Sequence, residues 1–270
     1  MKILSNINVL IKTLNNINNL GFVPTMGGLH NGHISLINES QKKCSKTVVS
    51  IYVNPRQFNN KNDYSKYPRN LTRDKNILRK LKIDYLFLPD SKEIFKKKRL
   101  KKITIAKSQK ILCAKFRKLH FEGVLDIMDR FINLIRPRYI FMGEKDYQQL
   151  FYVRKYIKDK YLSKVYLCKT IRGKNGIALS SRNNLLSNKG IRSAGLIYSV
   201  LKKTKLMIKS KRVPINYLKN LKKELVKNFN VKIEYLEIRN DEDLKVSNNN
   251  KKFRLFIAYY IENIRLIDNL

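Results

Sequence analysis

Tryptophan is absent from this sequence, and histidine, cysteine, proline and glycine are scarce, with 3, 3, 6 and 10 residues in 270. Each shortage excludes something. Cys44, Cys113 and Cys168 lie far apart, with no C-x-x-C pair and no histidine at zinc-finger spacing, which argues against a disulfide scaffold or a zinc cage. They are expected to be reduced, buried residues. No run of eighteen or more apolar residues occurs, so no membrane-spanning helix and no membrane partner are expected. The opening MKILSNINVLIK lacks the continuous apolar stretch and small-residue cleavage site of a secretion signal. The expectation is a soluble, cytoplasmic protein.

Acidic residues are also few: 20 Asp and Glu face 58 Lys and Arg, a formal charge of +38. A balance this basic raises the question of a polyanion partner. Its distribution argues otherwise. Lysine, asparagine and isoleucine, which share AT-rich codons, are spread over nearly every segment, so the charge is read as a trace of genomic base composition and no specific nucleic-acid partner is expected. The densest run, KKKRLKK at 96–102, reads as a solvated loop.

What is present is enough apolar material, 43% of residues, for a sizeable core, and a length that suits one larger and one smaller domain. Strands are expected at LGFVPT, TVVSIYVN, IDYLFLP, RYIFMG and KVYLCKTI, with helices between them from about Gly32 to Lys43, at LTRDKNILRKLK, from Val124 to Ile135 and at YQQLFYVRKYIKDK. Val124, Ile127, Met128, Phe131, Ile132 and Ile135 follow the helical period on one face, and Pro137 stops the run. PRQFNNKNDYSKYPRN is expected to be an irregular loop. Such alternation implies an α/β fold, a Rossmann-like, mainly parallel sheet with helices on both faces. A smaller α+β domain should follow, with helices near 188–210 and 215–228 and strands at KIEYLEIR and KFRLFIAYYI. The boundary is placed between 1–170, the nucleotide- and substrate-binding domain, and 171–270, which would close over the site. Ligands of such sheets bind beyond the carboxyl ends of strands. TMGGLHNGH, VNPRQF, GEKD and RGKNGIALSSRN all follow expected strands, so they should share one cleft.

Residues 24–37, PTMGGLHNGHISLI, hold Gly27, Gly28 and Gly32 together with His30 and His33. Glycines between a strand and a helix let the backbone approach a phosphate, and the helix N-terminus offers N–H groups and the positive end of its dipole. H-x-x-H spacing also occurs in zinc sites, but here a glycine interrupts it and no third ligand accompanies the pair. Imidazole N–H groups aimed at a phosphate suit adenylyl transfer, whose transition state gathers negative charge on phosphoryl oxygens.

HNGH resembles the H-x-G-H motif of the nucleotidyltransferase superfamily shared with class I aminoacyl-tRNA synthetases. A wider set is more specific. VPTMGGLHNGH, SIYVNPRQF, YPRNLTRD, GEKDYQQL, LSSRN and the terminal RLIDN occur in the same order as in the pantoate–β-alanine ligase family, across nearly the whole chain. The resemblance implies an AMP-forming ligase. Pantoate and ATP would give pantoyl adenylate and pyrophosphate, and the amine of β-alanine would then displace AMP to yield pantothenate. ATP is thus a substrate, Mg2+ is expected with it, and a homodimer is implied.

Carried over residue by residue, the resemblance places ATP against Met26, Gly27, Gly28, Leu29, His30, Asn31, Gly32 and His33, against Gly143, Glu144, Lys145 and Asp146, and against Ile171, Leu179, Ser180, Ser181 and Arg182. His33, His30 and Lys145 take the catalytic roles, with His33 at the position assigned as proton donor. Gln57 and Gln149 match the pantoate-binding glutamines, and Gln57 also the β-alanine site. Asp63 and Asp74 lie near acidic family positions, but no metal ligand is assigned. The segment from Asn59 to Tyr67, with little apolar surface of its own, is expected to be a mobile flap. The family commonly carries R-P-G-H-F-x-G-V where this chain has RKLHFEGV at 117–124. Losing the Pro-Gly pair is expected to remove a rigid turn and a left-handed backbone position just before His120.

Overall fold

The computed structural model describes residues 1–97, 101–210, 216–246 and 252–270. Three residues of the KKKRLKK run, 98–100, therefore lie outside the described residues. The chain divides into two compact units, Met1–Lys169 and Thr170–Leu270.

In the first unit the chain runs β1 (Lys2–Leu4), α1 (Ile7–Leu14), β2 (Leu20–Thr25), α2 (Asn31–Lys43), β3 (Lys46–Ile51), α3 (Lys61–Ser65), α4 (Leu71–Lys80), β4 (Tyr85–Phe87), α5 (Ser91–Phe95), α6 (Cys113–Phe116), α7 (His120–Ile135), β5 (Tyr139–Gly143), α8 (Tyr147–Ile157) and β6 (Lys164–Cys168). The strands form one parallel sheet in the order β1-β4-β3-β2-β5-β6. Successive residues of a strand face opposite sides. Val23, Val49, Leu86 and Phe141 accordingly join Leu36 and Ile37 of α2 and Leu78 of α4 in one core. On the other side Phe22 and Phe87 meet Phe131 of α7 edge to face, with ring centroids 6.0 and 5.5 Å apart. Helices therefore cover both faces. β1, α1 and its cap Asn6, whose side chain accepts from Asn8 and Val9, precede the first element expected from the sequence.

The chain reverses direction across the sheet at β2, with β3 on one side and β5 on the other. The β2–β5 ladder runs only through Gly21↔Tyr139 and Phe22↔Ile140, whereas β2 and β3 stay paired to Thr25↔Ile51. Pro24 accounts for the difference. The Leu20 carbonyl accepts from Arg138 on the β5 side and the Thr25 carbonyl accepts from Tyr52 on the β3 side. The backbone groups of even-numbered residues therefore face β5. Pro24 has no N–H to offer there, so the ladder stops.

The segment after β3 holds more regular secondary structure than the irregular loop expected. A single tight turn at Pro55–Gln57 is capped by the Asn54 side chain, and α3 is capped by Asn60. Phe58 packs edge to face on Tyr64 and Tyr67, with centroids 5.4 and 5.6 Å apart, so three aromatic rings supply the apolar surface that its asparagines and lysines lack.

The second unit contains α9 (Asn188–Lys209), α10 (Tyr217–Phe229), β7 (Lys232–Asn240), β8 (Phe253–Ile261) and β9 (Ile264–Asn269), with the strands antiparallel in the order β7-β8-β9. Ile197 and Leu201 of α9 and Leu221 and Leu225 of α10 bury against Leu236, Leu255 and Ile257.

Helix α7 starts four residues before the expected Val124, and its entry corrects the expectation for RKLHFEGV. The left-handed position is kept, and Leu119 occupies it with φ 61° and ψ 2°. A leucine in that conformation costs about 1–2 kcal/mol. Its side chain is 58% exposed, so little packing holds it there. Leu119→Gly should remove the strain at the expense of roughly 0.5–1 kcal/mol of extra chain entropy, leaving a net stabilisation of about 0–1.5 kcal/mol. Urea unfolding of the two proteins checks this, and a lower midpoint would show that Leu119 is not strained.

Candidate active site

Three of the segments expected to meet follow β2, β3 and β5, the strands at the point where the sheet reverses. The first is the turn from Thr25 to His33, and its backbone is almost fully bonded within the chain. The Thr25 hydroxyl accepts from Gly27 N–H at 3.2 Å and donates to the Ser50 carbonyl at 2.7 Å. Gly27 and Gly28 both have positive φ, 79° and 63°, which suits glycine. The next two N–H groups, of Gly28 and Leu29, each donate to one carboxylate oxygen of Asp74 at 2.8 Å. Sequence reading let the glycine backbone approach a phosphate and gave the N–H donors to the helix N-terminus. In the structure a carboxylate of the chain itself receives Gly28 and Leu29.

The two histidines close the turn onto α2. Nδ1 of His30 accepts from Gly32 N–H at 3.0 Å, and Nδ1 of His33 accepts from His30 N–H at 3.3 Å, a reciprocal cap made of imidazoles. An Nδ1 that accepts from a backbone N–H carries no proton. Each neutral ring must therefore bear its hydrogen on Nε2, so both imidazoles are donors at the outer nitrogen. Their centroids lie 4.1 Å apart. Burial lowers the pKa of His33 to about 3, with further repulsion from His30 and Lys145. Burial also lowers His30 to about 4, reinforced by Lys145 and opposed by Asp146.

Lys145 follows Gly143, the last residue of β5, in a short turn, Glu144–Asp146, that leads into α8. Its side chain is one-fifth exposed, and Nζ lies 3.5 Å from the Asp146 carboxylate. A β-carbon at Gly143 would meet nothing within 4 Å, so free volume lies at the end of β5.

Gln57 is buried and held from several sides. Asn54 donates to its side-chain oxygen at 3.3 Å and to the Gly123 carbonyl at 3.0 Å, and the Gln57 amide reaches the Met26 sulfur at 2.8 Å. Its carbonyl meets Nδ1 of His120 at 2.7 Å, while Nε2 of His120 meets Arg117 Nη1 at 2.9 Å. Arginine can only donate, so Nε2 accepts and His120 carries its proton on Nδ1, the opposite tautomer from the other two histidines. Gly123 lets α7 come this close, since a β-carbon there would stand 2.4 Å from the Arg56 carbonyl. Sequence reading gave Asn54 no role and placed Asp74 only near an acidic family position. Both are polar residues at helix starts, a signal that ordinarily indicates only a cap.

Of the adjacent glutamines in α8, Gln148 is buried and bonded to Cys113 N–H, the Ile111 carbonyl and Tyr152. Gln149 is half-buried, and among the described residues none bonds its side chain. The expected substrate glutamine is therefore the one that packing leaves available.

In the second unit, Ile171 and Leu179 are brought together by a tight hairpin. Leu179 N–H donates to the Ile171 carbonyl at 3.0 Å and Arg172 bridges to Ala178. Gly176, with φ 85°, turns it, and a β-carbon there would strike Tyr198. Arg172 grips Asp268 of RLIDN through both terminal nitrogens at 2.7 and 2.8 Å. Ser180 caps the short turn Ser181–Leu185, accepting from Arg182 N–H at 3.3 Å, and Ser181 is buried. Arg182 is half-buried.

The family profile described as pantoate-beta-alanine ligase matches residues 2–270. A pantothenate synthetase of Francisella tularensis subsp. novicida is 38% identical, covering 96% of this chain and 94% of its own length. One from Caldicellulosiruptor bescii is 35% identical, covering 93% and 90%. Among solved structures, pantothenate synthetase from Thermus thermophilus superposes with a TM-score of 0.91 at 31% identity, covering 100% of this chain and 99% of that one. A pantoate-beta-alanine ligase from Francisella tularensis, complexed with beta-gamma ATP and beta-alanine, gives 0.85 at 36% identity, covering 100% and 97%.

The histidine geometry makes a direct prediction. At pH 6, nitrogen-15 spectra should show His30 and His33 as neutral Nε2–H tautomers and His120 as the Nδ1–H tautomer. Imidazolium shifts for His30 or His33 would contradict it. The linked stability follows in sign. With folded pKa values of about 4 and about 3 below the ordinary 6.5, these two residues contribute stability that is complete above pH 6.5 and declines as pH falls toward the folded values.

Proposed function

The chain belongs to the pantoate–β-alanine ligase family and forms pantothenate in an ATP-dependent ligase reaction, and from that premise we propose how its residues share the work. The observation that carries the assignment is the pair of neutral imidazoles, each with its hydrogen on Nε2 and within electrostatic reach of Lys145, beyond the end of the β2–β5 ladder. In the first step a pantoate carboxylate oxygen attacks the α-phosphorus of ATP and pyrophosphate leaves. Negative charge gathers on the α-phosphoryl oxygens. Nε2–H of His30 and of His33 donate to that charge and Lys145 offsets it, donors already oriented before reaction. His33, held neutral by burial, acts as a hydrogen-bond donor through Nε2. In the second step the amine nitrogen of β-alanine attacks the acyl carbon, the carbon–oxygen bond to AMP breaks, and the amine proton passes to solvent.

Gln57 and Gln149 take pantoate, Gln57 also lies toward β-alanine, and neutral amides suit this role because they bind hydroxyls and carboxylate without a full charge that would weaken the nucleophile. Ser180, Ser181 and Arg182 would serve the leaving pyrophosphate, as the family resemblance implies. Mg2+ is proposed as part of the ATP substrate. Among the described residues no three His, Cys, Asp or Glu cluster as ligands, and both Asp74 oxygens are engaged by the backbone. The metal would then be held by phosphate oxygens and water. A cytoplasmic homodimer belongs to the same reading and rests on the resemblance. Among the described residues no helix is long and apolar enough to cross a membrane.

AMP release that requires both pantoate and β-alanine tests the reaction, and AMP formation without pantoate would refute it. Lys145→Met should lower adenylation by about two to three orders of magnitude with an unchanged melting temperature. Early melting with normal turnover in the folded fraction would contradict the assignment. Gln149→Ala should raise the KM for pantoate far more than that for ATP, and equal changes would count against it.

A further inference from the structure

Asp74 is the least expected member of this neighbourhood. It stands in the first turn of α4, is 1% exposed, and lies 46 residues from Gly28 along the chain. Two successive backbone N–H groups converging on one anion make the arrangement by which proteins commonly bind phosphate. Here the anion is a side chain of the protein. Both Asp74 oxygens are used, one on Gly28 and one on Leu29, each at 2.8 Å. A β-carbon on Gly27 would come within 3.0 Å of the same carboxylate and 3.1 Å of Ile51, so the turn is closed tightly around it. The residues directly after Leu29 are the ones whose backbone the imidazoles cap.

We propose that Asp74 is a positioning residue for adenylation: it occupies the anion site of the glycine turn, so that ATP is met by the His30 and His33 Nε2–H groups and Lys145 and not by the Gly28 and Leu29 N–H groups. The carboxylate has three consequences. It fixes two peptide planes at left-handed glycines that would otherwise be free to rotate. It sets where His30 and its N–H begin, hence where both rings point. It places a negative charge behind the turn, within the protein, where it opposes any phosphate entering the same N–H pair. The same geometry removes Asp74 from the candidates for a metal ligand. The proposal rests on the adenylation reading, and its test separates the two.

Asp74→Asn keeps the volume but offers one acceptor oxygen and one NH2, so one of the two peptides loses its partner. Pantoate-dependent ATP–pyrophosphate exchange should fall about a hundred-fold in kcat, the scale of a small misplacement of reacting groups. The KM for pantoate should change little, and the reaction of β-alanine with supplied pantoyl adenylate should stay near the parent rate. An unchanged kcat, recovery at high Mg2+, or equal losses in both half-reactions would overturn the proposal. Amide hydrogen exchange of the parent protein provides a second measurement that needs neither turnover nor a folded variant. With a non-hydrolysable ATP analogue bound, the Gly28 and Leu29 amide nitrogens should keep their free-state chemical shifts and their protection. Large shifts at these two amides would mean that phosphate displaces Asp74. Exchange in the parent enzyme that ignores pantoate would strike the adenylation reading itself, while the amide measurement still decides the role of Asp74.

Discussion

A single missing donor shapes the first unit. Pro24 cannot complete the ladder toward β5, and pairing between the two central strands ends early at the position where the chain reverses across the sheet. Parallel sheets bury both faces, and their carboxyl ends are where loops and helix starts gather. At the end of β5 there is room, since a β-carbon at Gly143 would meet nothing within 4 Å. The turn after β2, the capped turn after β3 and the Lys145 turn after β5 all follow from strands whose register is fixed by buried residues such as Phe22, Val49 and Phe141. The chemistry lies on loops, and the precision comes from the sheet beneath them.

Where backbone donors go decides what remains for a ligand. Polar groups in such a turn must be partnered, and here Thr25, Asp74, His30 and His33 take the N–H groups of Gly27, Gly28, Leu29, Gly32 and His30. A histidine that caps a helix through Nδ1 is locked in rotation and tautomer together. Two such rings beside a lysine make charge on either ring unfavourable, which explains why burial and mutual repulsion act in the same direction on His33. The result is a pair of fixed neutral dipoles with a nearby cation, an arrangement that stabilises growing negative charge without needing to rearrange when the charge appears.

The elements with clear periodicity were legible from sequence. The helix through Val124 and Ile135, the apolar strands on either side of the glycine turn and the long C-terminal strands all had enough residues to show their period. Short or locally encoded elements were not. β1 has three residues, and α3 has five inside an asparagine-rich stretch, too few for a pattern to emerge. Ile264–Asn269 read as a motif and not as an edge strand. In the site, the histidines stood out by type and clustering, and Lys145 and the two glutamines only through the family resemblance, while the tautomer of each histidine depends on which backbone N–H its ring faces. Asp74 and Asn54 act across long separations in the chain, on partners that composition and spacing do not reveal. Leu119 shows the converse, a backbone conformation enforced by tertiary structure on a residue that locally disfavours it.

The central claim is that ATP is received by imidazole Nε2–H groups and Lys145 while the glycine turn stays bonded to its own carboxylate. A crystal structure with pantoate and a non-hydrolysable ATP analogue tests this most directly. The account predicts phosphate oxygens within hydrogen-bond distance of Nε2 of His30 and His33, with Asp74 still accepting from Gly28 and Leu29. Phosphate seated on those two backbone N–H groups, with Asp74 turned away, would contradict it.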